Sequence, residues 1–331
     1  MKIKTFFALL ILYSTYSCND DIDSIRIEPI SDLKLDNLVI KQSNIPYGFY
    51  NDLVFTSENT AYAVSRLGGI VKTTDGGTTW TSLNSTVNFN LQKIQFVTTN
   101  TGYAIGGDET GSYLLKTNNA GQTWNVINLN SVEKGSPTGM FFINENEGYI
   151  TGTKLFIKTT NGGASWTPVL IKTTEDFVDV KFRDLNYGIA TTGKSNYYKT
   201  TNGGSTWQNI TPTNENMFSK IYFVYGKTIL KSNNQLVPLD GGRSITLPNP
   251  VTRLQFLTDS KCIGIGQHYD TGFFPYGDIL LTNNNWTSFV QKSYQPSSEA
   301  VDFTAIARKN YNQTMIIGTG QLYTKIVTIN Y

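Results

Sequence analysis

Among 331 residues there is one histidine, His268, and there are two cysteines, Cys18 and Cys262. A zinc site needs more ligands than this, and a lone His without a nearby Cys or second His is a poor metal or triad candidate, so neither a metal nor a cofactor is expected. Charge is scarce as well: Asp, Glu, Lys and Arg make up 16% of the chain, and the formal net charge is +2. With Lys2 and Lys4 set aside, cations and anions balance, which excludes the dense basic surface that nucleic-acid binding rests on. Apolar residues nowhere recur at helical spacing for three turns. The apolar run Phe6–Tyr13 is too short to span a bilayer as a permanent helix.

What remains is rich in aromatics, with 19 Tyr and 18 Phe, and in turn-forming Gly, Asn and Thr. That composition favours strands and turns, and an all-β repeat domain accommodates this length without a second domain. The N-terminus reads as an export signal over residues 1–17, and Ser14–Ser17 ahead of Cys18 resembles a lipobox, with Tyr16 departing from the usual small residue. Lipidation of Cys18 would make residues 18–35 a tether and place the protein in the cell envelope, anchored to the outer membrane. The acidic run Asn19–Asp23 resembles the signal that sends Bacteroidetes lipoproteins to the cell surface, and Asp23–Ile25 is similar to an O-glycosylation motif of that phylum. An ordinary signal peptide with a chance Cys, followed by a solvated acidic tether, stays open at this point. Cys262, in an apolar run, is expected to be a small core residue.

From residue 36 to 331 one phrase repeats. The segments Thr73–Trp80, Thr117–Trp124, Thr159–Trp166 and Thr200–Trp207 align without gaps as T-x-[DN]-x-G-x-[ST]-W, at a period of about 42 residues. The pattern resembles the Asp-box, or bacterial neuraminidase repeat. Its third position (Asp75, Asn119, Asn161, Asn202) is expected to close a turn by bonding backbone amides. Its fifth (Gly77, Gly121, Gly163, Gly204) supplies a positive φ, and its Trp (Trp80, Trp124, Trp166, Trp207) folds back between sheets. These residues are therefore structural. Two degenerate copies follow: Asp240 and Gly242 keep a turn with Ile245 in the Trp place, and Thr282–Trp286 keeps Trp286 but loses turn residues.

Each box is preceded by three strand-like runs, as in Asp52–Phe55, Ala61–Val64 and Gly69–Thr73, and a fourth run starts at the Trp. Four antiparallel strands per period indicate a propeller blade. Seven copies fit the length. The last, over Phe303–Val327, lacks an outer strand, which Leu38–Gln42 can supply and so close the ring. The expected fold is thus an all-β, seven-bladed propeller, with an open or six-bladed ring as the alternative.

One box per blade in a propeller of this size resembles the photosystem II stability/assembly factor family. The resemblance implies a non-enzymatic scaffold that holds another protein, and it carries no binding residues over to this chain. Sialidases share the box but place three Arg on the upper face, with Arg-Ile-Pro ahead of the first box. Here Ser43-Asn44-Ile45-Pro46 stands in that region, and the only Arg are Arg26, Arg66, Arg183, Arg243, Arg253 and Arg308. Xyloglucanase-type glycosidases use two propellers, and this chain has room for one.

The strongest candidate surface is the insertion Gln267–Gly277, expected to be an exposed loop on the face opposite the boxes. It carries His268, Tyr269, Asp270, Phe273, Phe274 and Tyr276, whose rings suit a sugar face or a protein partner; the alternative is that they pack over the channel mouth. Asp52, Asp179 and Asp302 each begin an innermost strand and are weak catalytic candidates. Asp108–Glu109 and Glu175–Asp176 lie on neighbouring loops. Glycoside hydrolysis needs two carboxylates about 5–9.5 Å apart. A scaffold for a protein or glycan is favoured, and a glycan-processing hydrolase is the alternative.

Overall fold

The computed structural model describes residues 32–331 except 42, 133–134, 195, 212–217, 233–234, 248–250, 270–274, 285, 295–301 and 321–323. The expectations on residues 1–31, including Cys18 and the tether's acidic run, lie outside the described residues. So do those on Asp270, Phe273 and Phe274. Seven four-stranded antiparallel sheets stand in sequence order. Blade 1 comprises Tyr50–Phe55, Ala61–Ser65, Ile70–Thr73 and Thr81–Leu83. Its strands are called a to d from the channel outward, and blades 2 to 6 repeat them. Blade 7 takes Asp302–Asn310, Gln313–Thr319 and Thr324–Asn330 from the C-terminal end and Leu38–Lys41 from the N-terminal end. The last pairing runs from Leu38 opposite Ile329 to Lys41 opposite Ile326, so the ring closes as the repeat count requires. Ahead of it, Leu33 is buried in the core beside blades 6 and 7, clasped by Asn283 through both its N–H and its carbonyl.

The turns between strands a and b share one end of the ring with the boxes, called here the lower face. They are pinned to each other, as where Gly76 N donates to Asn59 O at 2.8 Å. The b–c hairpins and the linkers between blades form the upper face.

The boxes behave as expected of them. In blade 1, Asp75 Oδ1 accepts from Thr78 N and Thr79 N at 3.0 and 2.9 Å, and Thr73 Oγ1 accepts from Gly77 N at 2.9 Å. Asn119, Asn161 and Asn202 close their turns in the same way. Gly77, Gly121, Gly163 and Gly204 all have positive φ. In blades 2, 3 and 4 the box Trp then packs edge-on against a strand-a Phe that a Tyr of the preceding blade covers. Tyr103 stacks on Phe142 at 3.5 Å and Phe142 meets Trp166 at 6.0 Å and 85°. Tyr62, Phe96 and Trp124 repeat this, as do Tyr149, Phe182 and Trp207. Cys262 is buried in the core.

The two degenerate copies differ from expectation. In blade 6 the turn is intact: Thr282 Oγ1 donates to Asn284 Oδ1 at 3.0 Å, and Ser288 N donates to the same oxygen at 3.1 Å. Trp286 therefore occupies the Gly position, with φ 63, and Phe289 stands in the Trp position. The indole still reaches the core, 5.0 Å from Phe256, so a different backbone position fills the same space. In blade 5 the Gly241 and Gly242 turn survives, but Asp240 turns away and accepts from Thr228 N at 2.7 Å. Pro238 replaces the Thr that would hold it.

Candidate functional site

All seven innermost strands shift register after their first residues. The residue that follows each shift is Asp52, Lys93, Gly139, Asp179, Lys220, Arg253 or Ala305. A bulge re-aims the next side chain, and these seven positions form one ring of the central channel.

Strand a is the free edge of each sheet, and its unpaired backbone groups face the channel. Side chains from the preceding blade satisfy them. Asp52 Oδ2 accepts from Ile94 N at 3.0 Å, and Asp179 Oδ2 accepts from Ile221 N at 3.1 Å. One ring further in, Gln95 bonds both the N–H and the carbonyl of Phe142, and Gln255 accepts from Arg308 N. Asp52 also pairs with Arg253 at 3.3 Å, reached across blade 7 where Ala305 leaves room. Two of the three candidate carboxylates are thus committed to holding blades together. The third, Asp302, is different: burial raises its carboxyl above the ordinary range against the pull of Arg66.

The remaining acidic candidates close turns of the upper face. Asp108 accepts from Thr110 N at 2.8 Å, Asp176 from Lys154 N at 2.8 Å, and Glu175 from Asn196 Nδ2 at 2.7 Å. Among the described residues the Arg side chains do not converge. Arg66 lies on the upper face and Arg253 in the channel. Arg183 pairs with Asp184 in a lower-face turn, and Arg308 donates to Asn310 O and Leu257 O at the lower end. Asn44 holds Trp80 N at 2.7 Å, a structural clasp where sialidases carry their motif.

The blade 6 insertion is less of a loop than its sequence suggests. Gln267, His268 and Tyr269 continue strand b, opposite Gly277, Tyr276 and Pro275 of strand c. Tyr276 is half-buried in this hairpin.

The sequence reading missed a patch on the same face at the junction of blades 7 and 1. Tyr47 and Phe49, in the linker into blade 1, are 52% and 41% exposed, with ring centroids 6.1 Å apart. Gly48 between them is held by Thr324 Oγ1 and Thr319 Oγ1 of blade 7. Arg66 lies over the Phe49 ring at 5.1 Å, and its N–H donates to Phe49 O at 3.1 Å. Leu67, next to it, is 81% exposed and has φ 58. An aliphatic residue in the left-handed region, held out into water, is costly and needs a reason. The available signal was Tyr47-Gly48-Phe49, two aromatics in a linker where no repeat phrase requires them. Open hollows elsewhere, over Val97, Thr98 and Ile143–Glu147 and around Lys199 and Trp207, lie on the lower face, the first at a–b turns and the second at a box. Among the described residues no cluster of His, Cys, Asp and Glu could hold a metal ion.

Residues 44–174, which span blades 1 to 3, match the family described as photosynthesis system II assembly factor YCF48. Among solved structures, a YCF48 bound to D1 peptide is similar at TM-score 0.68 and 16% identity, with 92% of this chain and 100% of that one covered. YCF48 from Cyanidioschyzon merolae gives 0.65 at 15% identity, covering 88% and 98%. The Niastella koreensis GH74 enzyme gives 0.65 at 16% identity; 82% of this chain is covered but only 52% of the enzyme, so the chain spans about half its length. At these identities the likeness is one of fold. No curated protein matches the sequence.

Proposed function

We propose that the protein is a non-enzymatic scaffold that docks a segment of another protein on its upper face, tethered to the outer membrane by a lipid on Cys18. The observation that carries this reading is the patch of Tyr47, Phe49 and Leu67 beside Arg66. Three large apolar groups are held in water by hydrogen bonds from blade 7 and by a strained backbone. Aromatic side chains with an adjacent Arg are the usual anchors of protein interfaces. The match of blades 1 to 3 to an assembly-factor family supports it, as does a structural neighbour that binds a peptide. The acidic run after Cys18 supports export to the cell surface.

A photo-crosslinking residue at Leu67 on intact cells tests the docking. A discrete adduct is expected at Leu67, weakened by Tyr47→Ala with Phe49→Ala. No adduct is expected at Leu185, also exposed but on the lower face. Equal labelling at both positions, or none at Leu67, would overturn the reading. Cys18→Ser should release the protein from the membrane fraction.

A glycan is the second reading, favoured by the raised carboxyl of Asp302 beside Arg66 on the same face. Release of reducing sugar that Asp302→Asn abolishes would convert the scaffold into a hydrolase.

A further inference from the structure

The channel ring holds two amines that the blade contacts leave unused. Arg253 is paired with Asp52, and Asp52 and Asp179 each accept a backbone N–H. Among the described residues the side-chain amines of Lys93 and Lys220 make neither a hydrogen bond nor an ion pair. They come from blades 2 and 5, almost opposite each other around seven blades, and the charge of Lys93 acts on Lys220 across the channel. Solvent reaches them, since both are only half-buried. Repulsion from Lys93, then burial and the charge of Arg253, push the Lys220 amine down to about 7 against the pull of Asp179 and Asp52. Two buried hydroxyls beside the ring, Thr151 opposite Gly139 and Thr191 opposite Asp179, also lack a partner.

We infer that the ring is an anion site, in which Lys93 and Lys220 bind a single oxyanion group between them. Three cations against two carboxylates leave the ring one positive charge in excess, and the two unpaired ammonium groups are its only uncommitted ones. An oxyanion relieves their repulsion and supplies acceptors to both. Arg253 and the carboxylates stay with the blade contacts they already make. The site is independent of the Tyr47 patch, so either proposal stands if the other fails.

The test is calorimetric titration of the protein with sulfate and with acetate at pH 6 and pH 8, chloride holding the ionic strength constant. Neither probe changes charge over that range, so the pH dependence reports the protein. Binding needs Lys220 protonated, and a group titrating near 7 makes affinity about tenfold higher at pH 6 than at pH 8. Lys220→Met should remove both the binding and its pH dependence, and Lys93→Met should weaken it. Lys172→Met, on an exposed linker, should change nothing. The thermal midpoint of Lys220→Met in sulfate-free buffer shows that the variant is folded; loss of repulsion should leave it no lower than that of the parent. Tighter sulfate than acetate assigns the site to a free tetrahedral oxyanion. The reverse order assigns it to the carboxylate of a ligand entering from the upper face. No saturable binding, or equal binding in Lys220→Met and Lys172→Met, would overturn the inference.

Discussion

The hydroxyl of Tyr149 donates to the carbonyl of Gly203 at 2.8 Å, from strand b of blade 3 to the box turn of blade 4. Lys158 of strand c donates to the same oxygen at 2.8 Å and lies over the Tyr149 ring at 5.3 Å. Tyr62 and Lys72 make the same latch to Ala120 O, and Tyr103 and Lys116 reach Glu145 O and Gly162 O of the next blade. The repeat phrase therefore encodes the joint between blades as well as the blade itself. Tyr149→Phe should cost about 0.5–1.5 kcal/mol in urea unfolding, since Lys158 still satisfies the carbonyl. Adding Lys158→Met leaves that oxygen without a donor, and the pair should lose more than the sum of the single variants.

Trp166 is 8% exposed, edge-on to Phe142, with its indole N–H donating to Gly163 O at 3.2 Å. Trp166→Ala leaves a cavity between blades 2 and 3 and should cost about 3–5 kcal/mol. A loss below about 1 kcal/mol would mean that the joint collapses onto the space, and that the Tyr–Phe–Trp stack is not what holds it.

The fold was legible because its signals are local and repeated: a box turn, a Gly with positive φ and a period that counts to seven. The errors lie where one residue substitutes for another in space rather than in order. Trp286 looks like the box Trp because only its identity shows in the sequence; its φ of 63 and the Ser288 bond to Asn284 place it in the turn instead. Asp240 keeps its place in the pattern but bonds Thr228 across the sheet. The channel ring was half legible. Asp52 and Asp179 were visible as strand-starting carboxylates, but their acceptance of the next blade's N–H groups depends on bulges that no single strand announces. The Tyr47–Leu67 patch joins a linker to a hairpin of the same blade, and such a pairing has no period to betray it.

Asp75 is the one carboxylate among the five boxes that close their turn from the side chain; the others use Asn. Hydrogen bonds from Thr79, Thr73 and Thr78 hold its carboxyl down to about 2. A depressed value in the folded protein means stability present above about 4 and lost as pH falls through about 2. Asp75→Asn should therefore flatten the decline of the thermal midpoint between pH 4 and pH 2 while changing it little at pH 7. The side chain is exposed, so the difference should be modest.

Alkali should act in the opposite direction. Burial pushes the phenols of Tyr62 and Tyr103 up to about 12, and raises those of Tyr50, Tyr149 and Tyr197 further. The folded state keeps protons that the unfolded chain releases near pH 10, so stability should hold below pH 10 and fall as pH rises toward 12. Spectrophotometric titration should show these tyrosines ionising together with the loss of near-UV circular dichroism. Ionisation well before unfolding would mean that water reaches the latches.

Ring closure gives the most direct test of how the chain is held together. A chain beginning at residue 32 keeps Leu33, clasped by Asn283, and the strand Leu38–Lys41; one beginning at residue 43 loses both. The shorter chain leaves the edge of Thr324–Asn330 unpaired and uncovers Leu33's place in the core, and nothing else among the described residues of blade 7 covers either. Exposed, hydrophobic strand edges recruit other strands. The shorter chain should therefore melt several degrees lower and self-associate with rising concentration, read by light scattering on a sizing column. If it stays monomeric with an unchanged midpoint, the outer strand is an ornament of blade 7, and the ring is closed by the packing of strands a and b alone.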